Sequence, residues 1–195
     1  GYDIRLGAPS EGDLVGVWGK SPTSPRGEAV AARRDAPVLR IEDAFLRSVR
    51  TGRDGDLPLG LCIDDMGCHF DPDTPSRLEP LLTAHPLDDT ALLDRARTGM
   101  ERMARLHLSK YNAFDPDTAP PRPGYVLVID QTAGDASVTA SKANRNTFRE
   151  MLFVAREEHP DARIIIKTHP ETSAGHRDGH FRAEDCDDRT ELFDT

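Results

Sequence analysis

The chain has 195 residues, of which 37% are hydrophobic and 30% are charged, enough for one domain or slightly more and too rich in periodic apolar segments for a wholly disordered protein. The net charge of −9 excludes a general nucleic-acid-binding protein, because binding to a phosphate backbone needs a basic face. The three cysteines are widely spaced and form neither a disulfide framework nor a zinc motif, and no apolar run approaches the length of a membrane span.

Apolar and amphipathic segments alternate along the first part of the chain. Continuous apolar runs predict buried strands, and apolar residues at helical spacing predict helices. The predicted elements are, in order, a strand over 14–19, a helix over 26–35, a strand over 37–42, a hairpin of strands over 57–63 and 68–70, a helix beginning at Ser76 and a long helix over 88–110. Asp88 or Asp89 is expected to cap the long helix.

Residues 115–124 hold four prolines and indicate a linker, so we predict a first domain over 1–114 and a second over 125–195. The second domain is expected to contain a strand over 125–130, a helix over 147–158 and a strand over 163–167. Continuous apolar strands joined by helices are typical of parallel sheets covered by helices on both faces. The sequence therefore predicts an α/β protein whose ligands bind at the carboxyl ends of its strands.

Polar groups follow three of these strands. Asp135 lies on a glycine-containing loop and could act as nucleophile or base at a sugar anomeric carbon, or could cap a turn and the following helix. Lys167 and His169 could bind a donor phosphate, or His169 could be a solvated histidine in a turn. Glu42 and Asp43 could divide acid and base roles, or form a surface ion pair with Arg47.

The remaining acidic and histidine clusters do not predict a metal site. No acidic group has the spacing of a calcium loop, and His176, His180 and Cys186 do not form a convincing zinc set. We therefore expect neither a metal nor another cofactor.

Six segments resemble, in order, the capsular polysaccharide β-Kdo transferases of Gram-negative bacteria. Kdo is an acidic eight-carbon sugar. The segments are VWGKSP at 17–22, RIEDAFLRSV at 40–49, PLGLCIDDMG at 58–67, SKYN at 109–112, VIDQTAGDASVT at 128–139 and IIIKTHPET at 164–172. The resemblance extends from about residue 14 to the end of the chain, and six motifs in one order are more specific than any single motif.

The resemblance implies a GT-B-like enzyme with two α/β domains that transfers Kdo from CMP-Kdo with retention of configuration. The acceptor would be a lipid-linked Kdo glycan at the cytoplasmic face of the inner membrane, where the protein could also contact the capsule export machinery. Residues 1–114 would form the acceptor side and residues 125–195 the start of the donor side.

The same resemblance assigns roles to individual residues. Asp135 would be the nucleophile, Glu42 would transfer the acceptor proton and His169 would contact the CMP phosphate, so all three are expected to face one cleft. The implied substrate-binding residues are Asp43, Arg47, Lys110, Asn112, Asp130, Gln131, Thr132, Lys167 and His169.

The chain departs from the family pattern at three places. Ala44 stands where the family's acidic motif has glycine, and Ala140 and Ser141 stand where many members have Tyr-Gly. Family members also continue past the His-Pro strand into a nucleotide-binding region, so the second, Rossmann-like domain is expected to be incomplete, and the sequence leaves open whether the chain alone is active. Two alternatives stay open: a transferase for another CMP-linked acidic sugar such as sialic acid, and an inactive truncated remnant.

Overall fold

The computed structural model describes residues 1–194, and these divide into two compact α/β units. The first unit comprises residues 1–48 and 58–110, and the second comprises residues 49–57 together with the chain from residue 111 onward. A short segment in the first half of the sequence is thus part of the second unit, which a single linker over 115–124 does not anticipate. The assignment of acceptor and donor sides to the units stays a prediction.

The first unit is built on a three-stranded sheet with the strand order β1-β2-β3. Its strands are β1 (Val15–Trp18), β2 (Val38–Asp43) and β3 (Leu61–Asp64). Helix α1 (Ser24–Arg34) connects β1 to the parallel strand β2 and packs on β1 at Gly27, where a Cβ atom would lie 2.5 Å from Val17 Cγ1. The predicted parallel crossover is therefore present.

The predicted hairpin of strands over 57–63 and 68–70 is wrong. Strand β3 pairs antiparallel with β2, so this sheet is mixed. After β3 the chain turns around the carboxylate of Asp64, which accepts hydrogen bonds from the backbone amides of Met66 (2.7 Å), Gly67 (3.0 Å) and Arg77 (2.8 Å). Because Asp64 draws these amides inward, residues 68–70 form a turn instead of a returning strand.

Two helices follow in the first unit, α2 (Leu78–Ala84) and α3 (Thr90–Arg105). The predicted capping by Asp89 is confirmed, since its side chain accepts a 3.0 Å hydrogen bond from the amide of Leu92. Helix α3 ends at Arg105, five residues before the predicted boundary at 110. Two residues after the helix end, His107 adopts a left-handed backbone with φ 53°. No helix formed by the described residues 1–194 combines the length and apolarity needed to cross a bilayer.

The second unit has an entirely parallel sheet with the strand order β4-β5-β6. Its elements are β4 (Tyr125–Ile129), α4 (Ala136–Ala140), α5 (Arg145–Glu158), β5 (Arg163–Lys167), α6 (Pro170–Ser173) and β6 (Thr190–Phe193). Helix α5 is the crossover between β4 and β5. The core packs Leu152 of α5 against Val128, Ile164, Ile166 and Phe181, so the sequence prediction of a parallel α/β sheet with a flanking helix is confirmed.

Candidate active site

The loop after β4 presents Asp135 at the start of helix α4. Gly134 has φ +73°, which turns the backbone sharply before Asp135. The Asp135 Oδ1 atom accepts hydrogen bonds from the Ser137 amide (2.8 Å) and the Ser137 hydroxyl (2.5 Å). Asp135 is therefore a helix cap, the structural role that the sequence left open, and the cap holds its carboxylate in one orientation.

The surroundings of Asp135 keep its carboxylate ionised. Burial acts to raise the pKa of Asp135, but the two hydrogen bonds from Ser137 and the positive charge of Arg177 outweigh it and lower the pKa. An ionised carboxylate is the form that can attack an electrophilic carbon.

Asp130 is buried and anchors the loop that carries Asp135. Its Oδ1 atom accepts hydrogen bonds from the amides of Gln131 (2.8 Å) and His180 (3.0 Å), and its Oδ2 atom accepts one from Phe181 (3.3 Å). A Cβ atom at Gly179 would lie 2.2 Å from Asp130 Oδ2, so only glycine leaves room for the carboxylate there. These contacts give Asp130 a positioning role, and its predicted contact with substrate stays a prediction.

The other predicted residues of this loop also make local contacts. Gln131 Oε1 accepts a 2.8 Å hydrogen bond from the amide of Thr132, whose side chain is buried. The Ala133 amide donates to the carbonyl of Asp178 (2.7 Å), and the Arg177 guanidinium donates to the carbonyl of Ala133 (2.7 Å). The loop after β4 is thus bound on one side to the segment that follows α6.

Lys167 is the last residue of the neighbouring strand, β5, and His169 follows it. Ile129 of β4 lies opposite Lys167 of β5 in the parallel register, so the loops bearing Asp135 and His169 leave the sheet at the same edge. The His169 Nδ1 atom caps α6 by accepting a 3.1 Å hydrogen bond from the Glu171 amide, which places the proton of the neutral ring on Nε2. Lys167 donates a hydrogen bond to the Thr168 carbonyl. Burial lowers the pKa of Lys167, and this effect outweighs the negative charge of Asp194, which acts to raise the pKa.

The acidic pair Glu42 and Asp43 ends strand β2 in the first unit. Asp43 Oδ2 lies 2.9 Å from Arg47 Nε, and the two side chains are only 20% and 9% exposed, so this ion pair is largely buried and is not a surface pair. The backbone amides of Arg47 and Ser48 both donate to the carbonyl of Lys110, at 3.1 and 3.3 Å. The SKYN segment is therefore joined to the chain that follows the acidic pair.

Glu42 lines a small, partly open pocket together with Arg40, Cys62, Cys68 and His69. Burial raises the pKa of Glu42, and the charge of Asp43 adds to this, while the Asp43 amide, His69 and Lys110 act in the opposite direction. Gly19 has φ +39°, and a Cβ atom there would lie 1.6 Å from Glu42 Oε1. The glycine of the VWGKSP motif thus provides the space that the Glu42 carboxyl group occupies.

Several residues at these sites were missed by the sequence analysis. Ser137 could have been found, because an aspartate two residues before a serine is a common capping pattern. Arg177 and His69 gave no signal, since each influences its carboxylate electrostatically only in the folded chain. Asn112, which was predicted, donates its amide to the carbonyl of Val49 (2.7 Å) within the second unit.

Comparison with known proteins identifies relatives in capsule and lipopolysaccharide formation. Residues 13–191 match the family described as capsule polysaccharide biosynthesis protein. The chain is 37% identical over 177 residues to the capsule polysaccharide modification protein LipA of Neisseria meningitidis serogroup B. This alignment covers 88% of this chain and 25% of LipA. It is 38% identical over 152 residues to the lipopolysaccharide-processing protein LpsZ of Rhizobium meliloti, covering 75% of this chain and 34% of LpsZ. The chain thus spans a quarter to a third of the length of these relatives.

Two solved structures of KpsC from Thermosulfurimonas dismutans share the fold. The β-Kdo 2,4 transferase is 35% identical with a TM-score of 0.81, over 91% of this chain and 56% of the solved chain. The β-Kdo 2,7 transferase is 26% identical with a TM-score of 0.60, over 93% of this chain and 53% of the solved chain. The fold is therefore α/β and GT-B-like, and this chain spans about half of each transferase.

Proposed function

Because the chain belongs to the family of capsule polysaccharide biosynthesis proteins, we propose that it forms part of a retaining glycosyltransferase that moves Kdo from CMP-Kdo to a lipid-linked Kdo acceptor. The observation that carries this proposal is the ionised, capped carboxylate of Asp135 at the sheet edge that also bears His169. The similarity to two Kdo transferases, at TM-scores of 0.81 and 0.60, supports Kdo as the transferred sugar.

Retention requires two displacements at the anomeric carbon. In the first, an Asp135 oxygen bonds to the anomeric carbon of Kdo as the bond to the CMP phosphate breaks, and CMP leaves with the electron pair. His169 would donate a hydrogen bond to the phosphate and so stabilise the departing charge. The product of this step is a Kdo ester of Asp135.

In the second displacement an acceptor hydroxyl attacks the same carbon and releases the Asp135 carboxylate. The hydroxyl must lose its proton, and we assign that proton to Glu42. The raised pKa of Glu42 makes it a stronger base than an ordinary solvent-exposed carboxylate. Two inversions restore the original anomeric configuration.

The test uses the protein expressed from the complete reading frame that carries this chain. Incubation with CMP-Kdo in the absence of acceptor is expected to trap the ester, detected as one added Kdo unit by intact-mass spectrometry and located to Asp135 by peptide mapping. Asp135→Asn should abolish both the adduct and the transfer to an added acceptor. Asp161→Asn is the matched control, because this exposed aspartate precedes β5 at the opposite edge of the sheet.

Three outcomes would contradict the proposal. An adduct formed with CMP-sialic acid but not with CMP-Kdo would assign the protein to another acidic sugar. Normal transfer by Asp135→Asn would remove the nucleophile. No adduct and no transfer with either donor, from protein with an unchanged circular dichroism spectrum, would favour the inactive remnant.

A further inference from the structure

We propose that Arg177 binds the carboxylate of the donor sugar, the group attached directly to the anomeric carbon of Kdo. This inference rests on the proposed function and adds a residue that recognises the acidic class of the sugar. Such binding requires a positively charged side chain near Asp135 whose N–H groups are not all used by the protein.

Arg177 lies against the turn that presents Asp135. Its guanidinium donates a 2.7 Å hydrogen bond to the Ala133 carbonyl, two residues before Asp135. Gly134 faces the same group, since a Cβ atom there would lie 3.8 Å from Arg177 Nη2. The Arg177 side chain is only 25% exposed, so its charge is weakly screened by solvent. The Arg177 charge also helps to lower the pKa of Asp135, so the guanidinium lies within electrostatic range of the carboxylate that would attack the sugar.

The contacts of Arg177 leave donors for a ligand. A guanidinium has five N–H groups, and among residues 1–194 its one hydrogen bond is to Ala133. Its ion pair with Glu171 is long, with 3.9 Å between Arg177 Nη1 and Glu171 Oε2. Glu171 also lies 3.4 Å from Arg53 Nε, so a second arginine shares its charge. Arg177 can therefore offer a two-pronged contact to a carboxylate.

The chemistry of the first displacement needs such a cation. The nucleophile is an anion, and the carbon that it attacks carries a second carboxylate. Like charges at this range repel, and in a partly buried site the repulsion is weakly screened. Arg177 contacts the loop that carries Asp135. If its guanidinium also binds the sugar carboxylate, the positive charge offsets this repulsion in the ground state and in the transition state.

Other basic side chains at this edge are engaged differently. His176 Nε2 lies 2.7 Å from Asp54 Oδ1, and Lys167 donates to the Thr168 carbonyl with its pKa lowered by burial. Arg177 could instead serve only to hold the loop through Ala133, or could bind the CMP phosphate. These two roles make different predictions from carboxylate binding.

The experiment compares three ligands on the protein from the complete reading frame: CMP-Kdo, the analogue in which the sugar carboxylate is a neutral carboxamide, and CMP as an inhibitor. The variants are Arg177→Gln and Arg177→Lys. Arg163→Gln is the matched control, an arginine at the start of β5 whose ion pair with Glu191 is exposed. Transfer rates give KM and kcat for each donor.

We expect Arg177→Gln to raise KM for CMP-Kdo by about tenfold to a hundredfold, the size of a lost charge-assisted contact. The carboxamide donor should be used equally by wild type and variant to within about threefold, and the inhibition constant of CMP should change by no more than about twofold. Arg177→Lys should recover part of the loss because it keeps the charge without the planar fork.

An equal loss with both donors would overturn the proposal in favour of loop positioning, and an equal loss of CMP affinity would overturn it in favour of phosphate binding. If Arg177→Gln does not fold, the comparison is made with Arg177→Lys, whose preference for the carboxylate donor must fall below that of wild type. A wild-type protein that uses neither donor would instead contradict the proposed function.

Discussion

At the residue scale, two carboxylates that matter for the site lie beside glycines that could carry no side chain. A Cβ atom at Gly19 would overlap the carboxyl group of Glu42, and one at Gly179 would overlap that of Asp130. Glu42 is the penultimate residue of β2 and Asp130 follows β4, so each acid is placed by its strand and given room by a glycine distant in sequence. The glycine of VWGKSP therefore has a physical reason to accompany the acidic motif.

A third carboxylate, Asp71, stabilises the first unit through ionic contacts. Its Oδ2 atom lies 2.8 Å from Lys20 Nζ and accepts a 2.6 Å hydrogen bond from the Thr74 hydroxyl, while its side chain is only 5% exposed. The Lys20 and Thr74 contacts lower the pKa of Asp71 from 3.8 to about 2. The ionised form is therefore favoured by folding.

The pH dependence follows from the sign of this shift. The folded-state pKa lies below the unfolded value, so Asp71 stabilises the fold fully above pH 3.8 and loses that contribution as pH falls toward about 2. Asp71→Asn should lower the free energy of unfolding by about 1–2 kcal/mol at pH 7, and the difference from wild type should shrink between pH 4 and 2.

Urea unfolding followed by the fluorescence of Trp18, the single tryptophan and a residue of the first unit, measures this effect. The exposed neighbour Asp73 provides the control, and Asp73→Asn should unfold at the wild-type midpoint. An Asp71→Asn deficit that stays constant down to pH 2 would contradict the ionic origin of the stabilisation.

At the scale of elements, side-chain caps fix where several helices begin. Asp89, Asp135, Asn144 and His169 each accept a backbone amide at the start of a helix. Asn144 forms a reciprocal box with Thr147 at the start of α5, the crossover helix between β4 and β5. Because α5 buries Leu152 against the sheet, its cap also supports the core of the second unit.

Replacement of Asn144 by alanine should destabilise the second unit by about 1 kcal/mol, because the first amides of α5 lose their acceptor. The measurement is amide hydrogen exchange over α5, which should quicken in its first turns. Asn146→Ala is the matched control, since this exposed asparagine lies inside α5, where alanine is the better helix former. Equal exchange in the two variants would show that the cap contributes nothing.

The elements that could be predicted from sequence are those with strong local patterns. Strand β5 was predicted at its observed bounds because Ile164, Ile165 and Ile166 form a continuous apolar run between charged ends. Strand β6 was not predicted, because Leu192 and Phe193 follow a polar pair and the strand is completed only by pairing with β5. Helix α4 is five residues long, too short to show a helical period.

At the scale of the whole molecule, the chain passes from one unit to the other three times, after residues 48, 57 and 110. Segment 49–57 is held within the second unit by contacts to distant parts of the sequence: Asp54 pairs with His176 at 2.7 Å, and Arg53 lies 3.4 Å from Glu171. Within the segment, Thr51 and Asp54 cap each other's backbone. The hydrogen bond from His176 is the largest cause of the lowered pKa of Asp54.

Asp54→Asn should loosen this segment without unfolding the sheet. We expect amide exchange over residues 49–57 to rise about two- to fivefold, since exposed ion pairs contribute little, while exchange in β5 stays as in wild type. Asp188→Asn, an exposed aspartate of the same unit, should leave both regions unchanged. Unchanged exchange over 49–57 would contradict an anchoring role for the pair.

The same long-range connections limit what the sequence could reveal about the site. Asp135, Glu42 and His169 could be placed because each lies at or just after the carboxyl end of a strand that is visible in the sequence. Their partners could not, since Arg177 is 44 residues from the carbonyl that it contacts and His180 is 50 residues from Asp130. The expected convergence of the three residues on one cleft stays a prediction.

The position of residues 49–57 in the chain has a consequence for how the protein is made and exchanged. Residues 49–57 are synthesised before β4, β5 and β6 of their own unit, so this segment emerges from the ribosome between two parts of the first unit. A recombination junction after residue 110 would separate residues 49–57 from the rest of their unit, which begins at residue 111. Recombination between related genes is therefore expected to succeed only when both stretches are inherited together.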